Sequence, residues 1–524
     1  MITGENEKTE LIIALVGPAG VRLSGVAEAV SNYLHSFGYT AERVHVSKLL
    51  ENYHGYDMSK IIDGEGERIL YCQDVALDFR RELKDGAAPA LAAIAEIRRS
   101  RAAETGSPDR PRIAHAYILD QLKHPREVEL LRQVYGSAFV LLAVHEPKTK
   151  RGQSVVNRIS RDPTKSNNSH YVGLAVKIID DDENQLIDPV FGQNTRDTYP
   201  LADFFIDLTY PNGEKAVERF IRLLFGHPFE TPYQREYAMH QAWSASLRSS
   251  DYNRQVGAVI VKHEYEPSSQ TLRDLNIVAT GMNEVPRAGG GHYWRDVSGD
   301  PRDQALEAKG DDRANDIKKS VLSDLLDRFK SAGLLKESEK RSEDIAKDLL
   351  KTLKGSQFMN IGEFSRPVHA EMAALIDSAR RGVAVQDHSM YVTTFPCHNC
   401  AKHIIAAGIK QVFYLEPYPK SRAQFLHGEE IVSEAQERDT YQNKVAFIPY
   451  TGIAPRQYHR LFSMENRGKK QGIPLKVWEE NMKTLRPLYV MNNASASYLL
   501  NERHELERLP ETVYKWDKKS LCPD

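Results

Sequence analysis

The chain has 524 residues, with 70 basic against 72 acidic side chains and four cysteines. That length exceeds what one core organises and predicts two domains, while the balanced charge argues against nucleic acid as the main partner. No apolar run reaches membrane-spanning length, and the opening MITGENEKTE is polar and acidic, unlike a signal peptide, so the chain reads as cytoplasmic with no membrane contact.

Residues 10–225 alternate between strand and helix patterns. LIIALVG (11–17) is a continuous apolar run typical of a buried strand, and a helix is predicted over 23–37, ending at Gly38. RIAHAYILD (112–120) and SAFVLLAVH (137–145) read as strands separated by the helical EVELLRQVYG. ADFFID (202–207) adds a strand and EKAVERFIRLLFG a helix. This is the β-α-β rhythm of a mostly parallel sheet covered by helices, an α/β class. The polar stretch 148–198 is expected to be a long surface loop or lid.

GHPFETP (226–232) has the composition of a linker, and a second domain is expected over 226–470, followed by a C-terminal extension over 471–524. A helix over 233–248 leads to two paired strands, VGAVIVK (256–262) and NIVATGMN (276–283). A charged insertion, 286–366, opens with PRAGGGHYW; the glycines suit a loop over a pocket or a hinge, and 296–355 suits a pair of solvated helices. The α/β rhythm then resumes: a helix over 370–381, SMYVTT (389–394), a helix over 398–407, QVFYLE (411–416) and KVAFIPY (444–450).

Chemistry concentrates at His369-Ala370-Glu371 and, about 25 residues further on, Pro396-Cys397-His398-Asn399-Cys400. Catalytic zinc takes three protein ligands and leaves a position open. His369, Cys397 and Cys400 supply that set, each near a helix start where free amides favour thiolate over thiol. Glu371 would carry a proton from water to a ring nitrogen and then to a departing amine. H-x-E followed by P-C-x-x-C is the signature of zinc deaminases acting on nucleobases. The competing readings are a redox Cys-x-x-Cys and a structural zinc with His398 or His403 as fourth ligand. Neither accounts for the His-x-Glu or for the proline before Cys397. Cys72 and Cys522 are too remote in sequence to be obvious ligands.

Residues 233–450 resemble the deoxycytidylate deaminase branch of the cytidine deaminase fold, through Arg254-Gln255-Val256-Gly257-Ala258-Val259 and Thr280-Gly281-Met282-Asn283 as well as the metal motif. The resemblance implies sugar recognition by Asn283. Ser249, Asn253 and Arg254 are candidate phosphate contacts by position, as is Lys420, which follows a strand at the sheet edge where ligands bind. The whole chain resembles the bacterial anti-phage dCTP deaminases, through LVGPAG, YILDQLKHPREVELLRQVYG, GQNTRDTYPLADFFID and EPYPKS with FLHGEE. That family joins an N-terminal P-loop-kinase-like α/β/α domain (here 1–225) to a C-terminal cytidine-deaminase-like α/β/α domain with a mixed sheet. Membership implies deamination of dCTP, and of dCMP as a further substrate, in defence against phage. It also implies a homo-oligomer and a regulatory nucleotide or inhibitor at the N-terminal domain. A working P-loop reads G-x-x-x-x-G-K-[ST]. Here Gly17, Gly20 and Ser24 remain, but Arg22 and Leu23 stand where the second glycine and the lysine belong, so no phosphate transfer is expected. The alternatives are a deaminase of single-stranded DNA or RNA and a nucleotide sensor without turnover.

Overall fold

A computed structural model describes residues 10–60, 64–160, 169–185, 187–209, 213–251, 254–265, 272–296, 301–303, 313–335, 340–353, 356, 358–362, 364–434, 441, 443–463, 475–488 and 497–522. They form two compact units. The described residues up to His240 join those from Pro449 onward, and Gln241–Ile448 make the other unit.

In the first unit, the strands β1 (Leu11–Val16), β2 (Thr40–His45), β3 (His115–Asp120), β4 (Phe139–His145) and β5 (Phe204–Asp207) are all parallel, in the order β2-β3-β1-β4-β5. β1 is central, with Ile13 opposite Ile118 on one side and Val140 on the other, and all six of its residues are buried. Its helices include α1 (Leu23–Ser36), α2 (Gly64–Leu83), α3 (Ala88–Thr105), α4 (Pro125–Tyr135), α5 (Lys148–Ser160), α6 (Ser169–Glu183) and α7 (Gly213–Leu224). The polar stretch after β4 is therefore mainly helical rather than a loop, with 161–168 outside the described residues. The reason is local burial: Val155, Val156 and Ile159 of α5 face Ala175, Ile178 and Ile179 of α6 in a small core of their own.

The boundary between the units also falls elsewhere than composition suggests. The two-residue strand Gly452–Ile453 pairs antiparallel with β5, and Ile453, Leu461 and Trp478 lie in the same core as β1 and α1. The linker-like segment is packed as well: His227 is buried, its ring edge-on to Trp478 at 4.7 Å. Residues 449–463 thus belong with the first unit, because the edge of its sheet and its core are completed from the end of the chain.

The helix α8 (Gln234–Ser246) leads into the second unit. Its sheet holds β6 (Gly257–Tyr265), β7 (Leu272–Met282), β8 (Ser389–Thr394), β9 (Gln411–Glu416), β10 (Ile431–Ser433) and β11 (Val445–Pro449), in the order β10-β11-β9-β8-β6-β7. β6 runs antiparallel to both β7 and β8, and β8 parallel to β9, so the sheet is mixed. The described part of the insertion forms α9 (Arg313–Ser331) and α10 (Ser342–Thr352), which pack together. α11 (Ala370–Arg380) lies on β6 and β7, and α12 (His398–Ala406) joins β8 to β9. No described helix is long and apolar enough to cross a membrane.

Candidate metal centre

Two helix starts build the site. His369 caps α11 and Cys397 caps α12, both in extended backbone; the His369 side chain bonds none of its helix amides, and the Cys397 sulfur accepts from the Cys400 amide. The side chains are left to face each other, close to the positive ends of both helices. α11 reaches this position because Gly281 of β7 has no side chain: a Cβ there would lie 2.2 Å from the Ala370 carbonyl oxygen and 2.4 Å from the Ala374 nitrogen. The approach to His369 is fixed by a backbone bridge, with Glu284 and Val368 exchanging hydrogen bonds of 3.3 and 3.0 Å.

His369 Nδ1 lies 3.3 Å from both Cys397 Sγ and Cys400 Sγ, and the three donor atoms fall within 4.8 Å of one another. One imidazole and two thiols converging on a single point suit tetrahedral Zn²⁺ with an open position. Glu371, only 4% exposed, places Oε2 3.3 Å from Cys400 Sγ. Burial first, then the charge of Cys397, pushes its carboxyl up to about 7. Cys397 is drawn down to about 4, chiefly by the hydrogen bond from the Cys400 thiol, whereas Cys400 is raised by donating that bond and by burial. His369 is raised by its bond to Cys397, and Asp251 adds a smaller push in the same direction.

Asn283 is 8% exposed and its amide is occupied. Oδ1 accepts from the Val256 amide at 2.7 Å, and Nδ2 donates to the Arg254 carbonyl at 2.7 Å and to Asp251 at 3.2 Å. It ties Asp251, Arg254 and Val256 together, and the charge of Asp251 reaches His369. The Ser249 hydroxyl is likewise used, donating to the Asn283 carbonyl at 2.7 Å. Asn253 lies outside the described residues. Half-exposed Arg254 sits 3.6 Å from Glu416 and over the Tyr418 ring at 5.9 Å, and Tyr418 is close enough to Cys397 to feel its charge. Lys420 is exposed two residues further on. The glycine run forms a pinned turn: Pro286 pairs with His292, the Arg287 amide donates to the Gly291 carbonyl at 2.9 Å, and the Arg248 guanidinium stacks 3.3 Å from the Trp294 ring centroid.

Asp251 and Glu284 escaped the sequence reading. Buried Glu284 accepts from the Ser250 amide and hydroxyl at 2.9 and 2.8 Å, with Arg302 of the insertion 3.8 Å away. The only signal for it was its place directly after Asn283.

The remaining candidate positions lie in the first unit. Gly17 follows β1, Leu23 turns into the core, and Ser24 is exposed on the first turn of α1.

On a mixed α/β sheet, a His-x-Glu and a Cys-x-x-Cys meet at two helix starts, with Glu371 and Cys400 buried and His369 and Cys397 half-buried, as a three-ligand zinc site with an open position requires. Residues 232–416 match the cytidine and deoxycytidylate deaminase zinc-binding region. The second unit therefore carries a cytidine/deoxycytidylate deaminase domain, and its cofactor is zinc. Deoxycytidylate deaminase of Enterobacteria phage T2 is 44% identical over 55 residues, 10% of this chain and 29% of that protein. ComE operon protein 2 of Bacillus subtilis (strain 168) is 46% identical over 54 residues, 10% of this chain and 29% of the relative. Human deoxycytidylate deaminase is 47% identical over 47 residues, 9% and 25%. The chain thus spans less than a third of the length of these relatives. The dCMP deaminase of cyanophage S-TIM5, solved with dCMP and dUMP, superposes at a TM-score of 0.22 and 17% identity, covering 42% of this chain and 99% of that one.

Proposed function

We propose that the second unit deaminates deoxycytidine nucleotides, dCTP and dCMP, to the deoxyuridine nucleotides, with water consumed and ammonia released. The observation that carries this is the buried Glu371 carboxyl, 3.3 Å from Cys400 in the three-residue donor set. A carboxyl held beside the metal ligands can both take and return a proton. Zinc held by His369, Cys397 and Cys400 supplies the Lewis acidity that makes water a nucleophile near neutral pH. Glu371 takes the proton of that water, passes it to the ring nitrogen of cytosine, and protonates the departing amine. Arg254 and Lys420 are the cations offered to phosphate. Asn283 holds Asp251, Arg254 and Val256 together, so it positions Arg254.

The first unit acts as a degenerate P-loop-kinase-like domain that regulates rather than transfers phosphate. Supporting this are a loop between β1 and α1 at the place where strand order reverses, where such sheets bind ligands, and Leu23 in place of the phosphate-reaching lysine. In the cell, the cytoplasmic enzyme, as a homo-oligomer, would drain the deoxycytidine nucleotide pool during phage infection. The deciding measurement is ammonia release by zinc-loaded protein from dCTP, dCMP, the ribonucleotides and a single-stranded oligodeoxynucleotide. Release from the free deoxynucleotides is expected; release from the oligonucleotide alone overturns the substrate assignment, and none from any overturns the activity.

A further inference from the structure

Three residues of the charged insertion, 301–303, lie across the backbone bridge that presents His369. On one side of the bridge, Arg302 Nη1 is 3.8 Å from Glu284 Oε2. On the other, Arg366 Nη1 donates to the Pro301 carbonyl at 3.1 Å and to Asp303 Oδ1 at 2.5 Å. Glu284 and Val368 are the residues that the bridge joins, and His369 follows Val368 directly. One short segment thus grips both arms, a cation against the acid of one and an acid against the cation of the other.

The Glu284 side of this grip is buried: its side chain is 2% exposed and that of Arg302 10%. Glu284 Oε2 also accepts from the Ser250 amide and hydroxyl, and Oε1 from the Val285 amide at 2.8 Å. Those bonds satisfy its lone pairs but leave its charge, and a carboxylate taken out of water needs a cation. Arg302 brings that cation from the insertion, not from the strands that build the sheet. The Asp303–Arg366 pair is about a third exposed, so it is weaker singly and tolerates an exchange of its charges. His369 caps α11, so its backbone is fixed by the helix on one side and by Val368 on the other. Metal ligands have to be held within about 0.5 Å of their productive geometry. Loosening the bridge removes one of the two constraints that do this for His369.

We propose that Arg302 and Asp303 are positioning residues for the metal: the insertion clamps the bridge and through it holds His369 where zinc needs it. The inference rests on the metal site alone and needs neither the substrate nor the reaction. Full-length, zinc-loaded protein is challenged with a chelator that changes colour on binding zinc. Arg302→Ala is expected to release zinc at least about tenfold faster than wild type, the size usual for groups that orient a ligand from behind. Arg302→Lys should stay close to wild type, since Arg302 meets Glu284 through one nitrogen. Asp303→Arg and Arg366→Asp should each speed release by about severalfold, and the two together should return it to within about twofold of wild type. Cobalt(II) in place of zinc reports the geometry: the single variants should shift its visible absorption bands and the paired exchange should restore them. Should Arg302→Ala fail to fold, the Asp303 and Arg366 series decides by itself. Release from all the variants at the wild-type rate overturns the clamp. Arg302→Lys as fast as Arg302→Ala, or a paired exchange no better than its single members, overturns the ion pairing. Faster release with unchanged cobalt bands places the effect in a general loosening of the unit and overturns the positioning of His369.

Discussion

Glu371 and Cys400 are buried neighbours with different jobs, and single substitutions separate them. Glu371→Gln keeps size and burial but cannot shuttle a proton, so turnover should fall by at least about 10²-fold with zinc content and thermal midpoint unchanged. Cys400→Ala removes a ligand, so metal content, measured by atomic emission, should fall together with rate. A Glu371→Gln protein of near wild-type rate would refute the mechanism. A second residue-scale effect concerns acid stability. Burial, aided by Arg112, lowers the His115 imidazole to about 4. A group depressed below its unfolded value of about 6.5 binds its proton more readily when unfolded. Stability is therefore lost as pH falls from about 6.5 toward 4, by about 2 kcal/mol between pH 7.5 and 5. Urea melts of wild type and His115→Gln at both pH values measure this; the same acid loss in both would assign it elsewhere. At this scale the metal residues were legible because their chemistry keeps them close in sequence, His-x-Glu on one helix start and Cys-x-x-Cys on another. Asp251 and Glu284 were not, because an acid that works through a turn or a strand bridge leaves no spacing to read.

The elements test a different dependence, that of the site on close packing between α11 and β7. Gly281→Ala would set a methyl 2.2 Å from backbone, with no flexible side chain to yield. We expect a loss of about 1–3 kcal/mol and weaker zinc retention against a chelator, because His369 and Glu371 move with the helix. Unchanged melting and zinc retention would show that α11 adjusts freely. β1, β3, β4 and β5 of the first sheet and β6, β7, β8, β9 and β11 of the second could be read as largely apolar runs, whereas β2, TAERVH with a single buried residue, could not; the helices flanking the metal residues ended near their glycines as expected. α3 was missed because it is buried nearly all round and so has no polar face to give it a period. α5 was missed for the opposite reason, since its narrow apolar stripe is swamped by polar residues, and α6 because the acids at its end, 180–183, dominate the reading of the stretch. The short edge strands β10 and Gly452–Ile453 are too brief to carry alternation.

On the scale of the whole molecule, buried charge ties the end of the chain into the first unit. Arg98 and Arg101 of α3 are fully buried and share Glu502, Arg98 at 3.0 Å and Arg101 at 2.7 Å, and Arg101 also pairs with Glu10 at 2.8 Å. Truncating one partner of a buried ion pair typically costs about 3–5 kcal/mol. Glu502→Ala should therefore lower the stability of the first unit by that order while zinc content stays at wild type. Calorimetry resolving two transitions, with zinc measured alongside, checks it; an unmoved first-unit transition would mean that the arginines find other partners. Composition suggested a plain succession of domains because nothing in the tail's sequence says which core it completes.

That return of the chain sets an order of assembly. β1 is made before the second unit, yet the strand that closes the edge of its sheet and the glutamate that neutralises the arginines of α3 emerge only after residues 241–448. At about 5–20 residues per second, synthesis of that stretch takes roughly 10–40 s. During this interval the second unit can complete its own sheet, while the first waits with charged arginines and an open edge. On the ribosome, the first unit is begun before the second and finished after it.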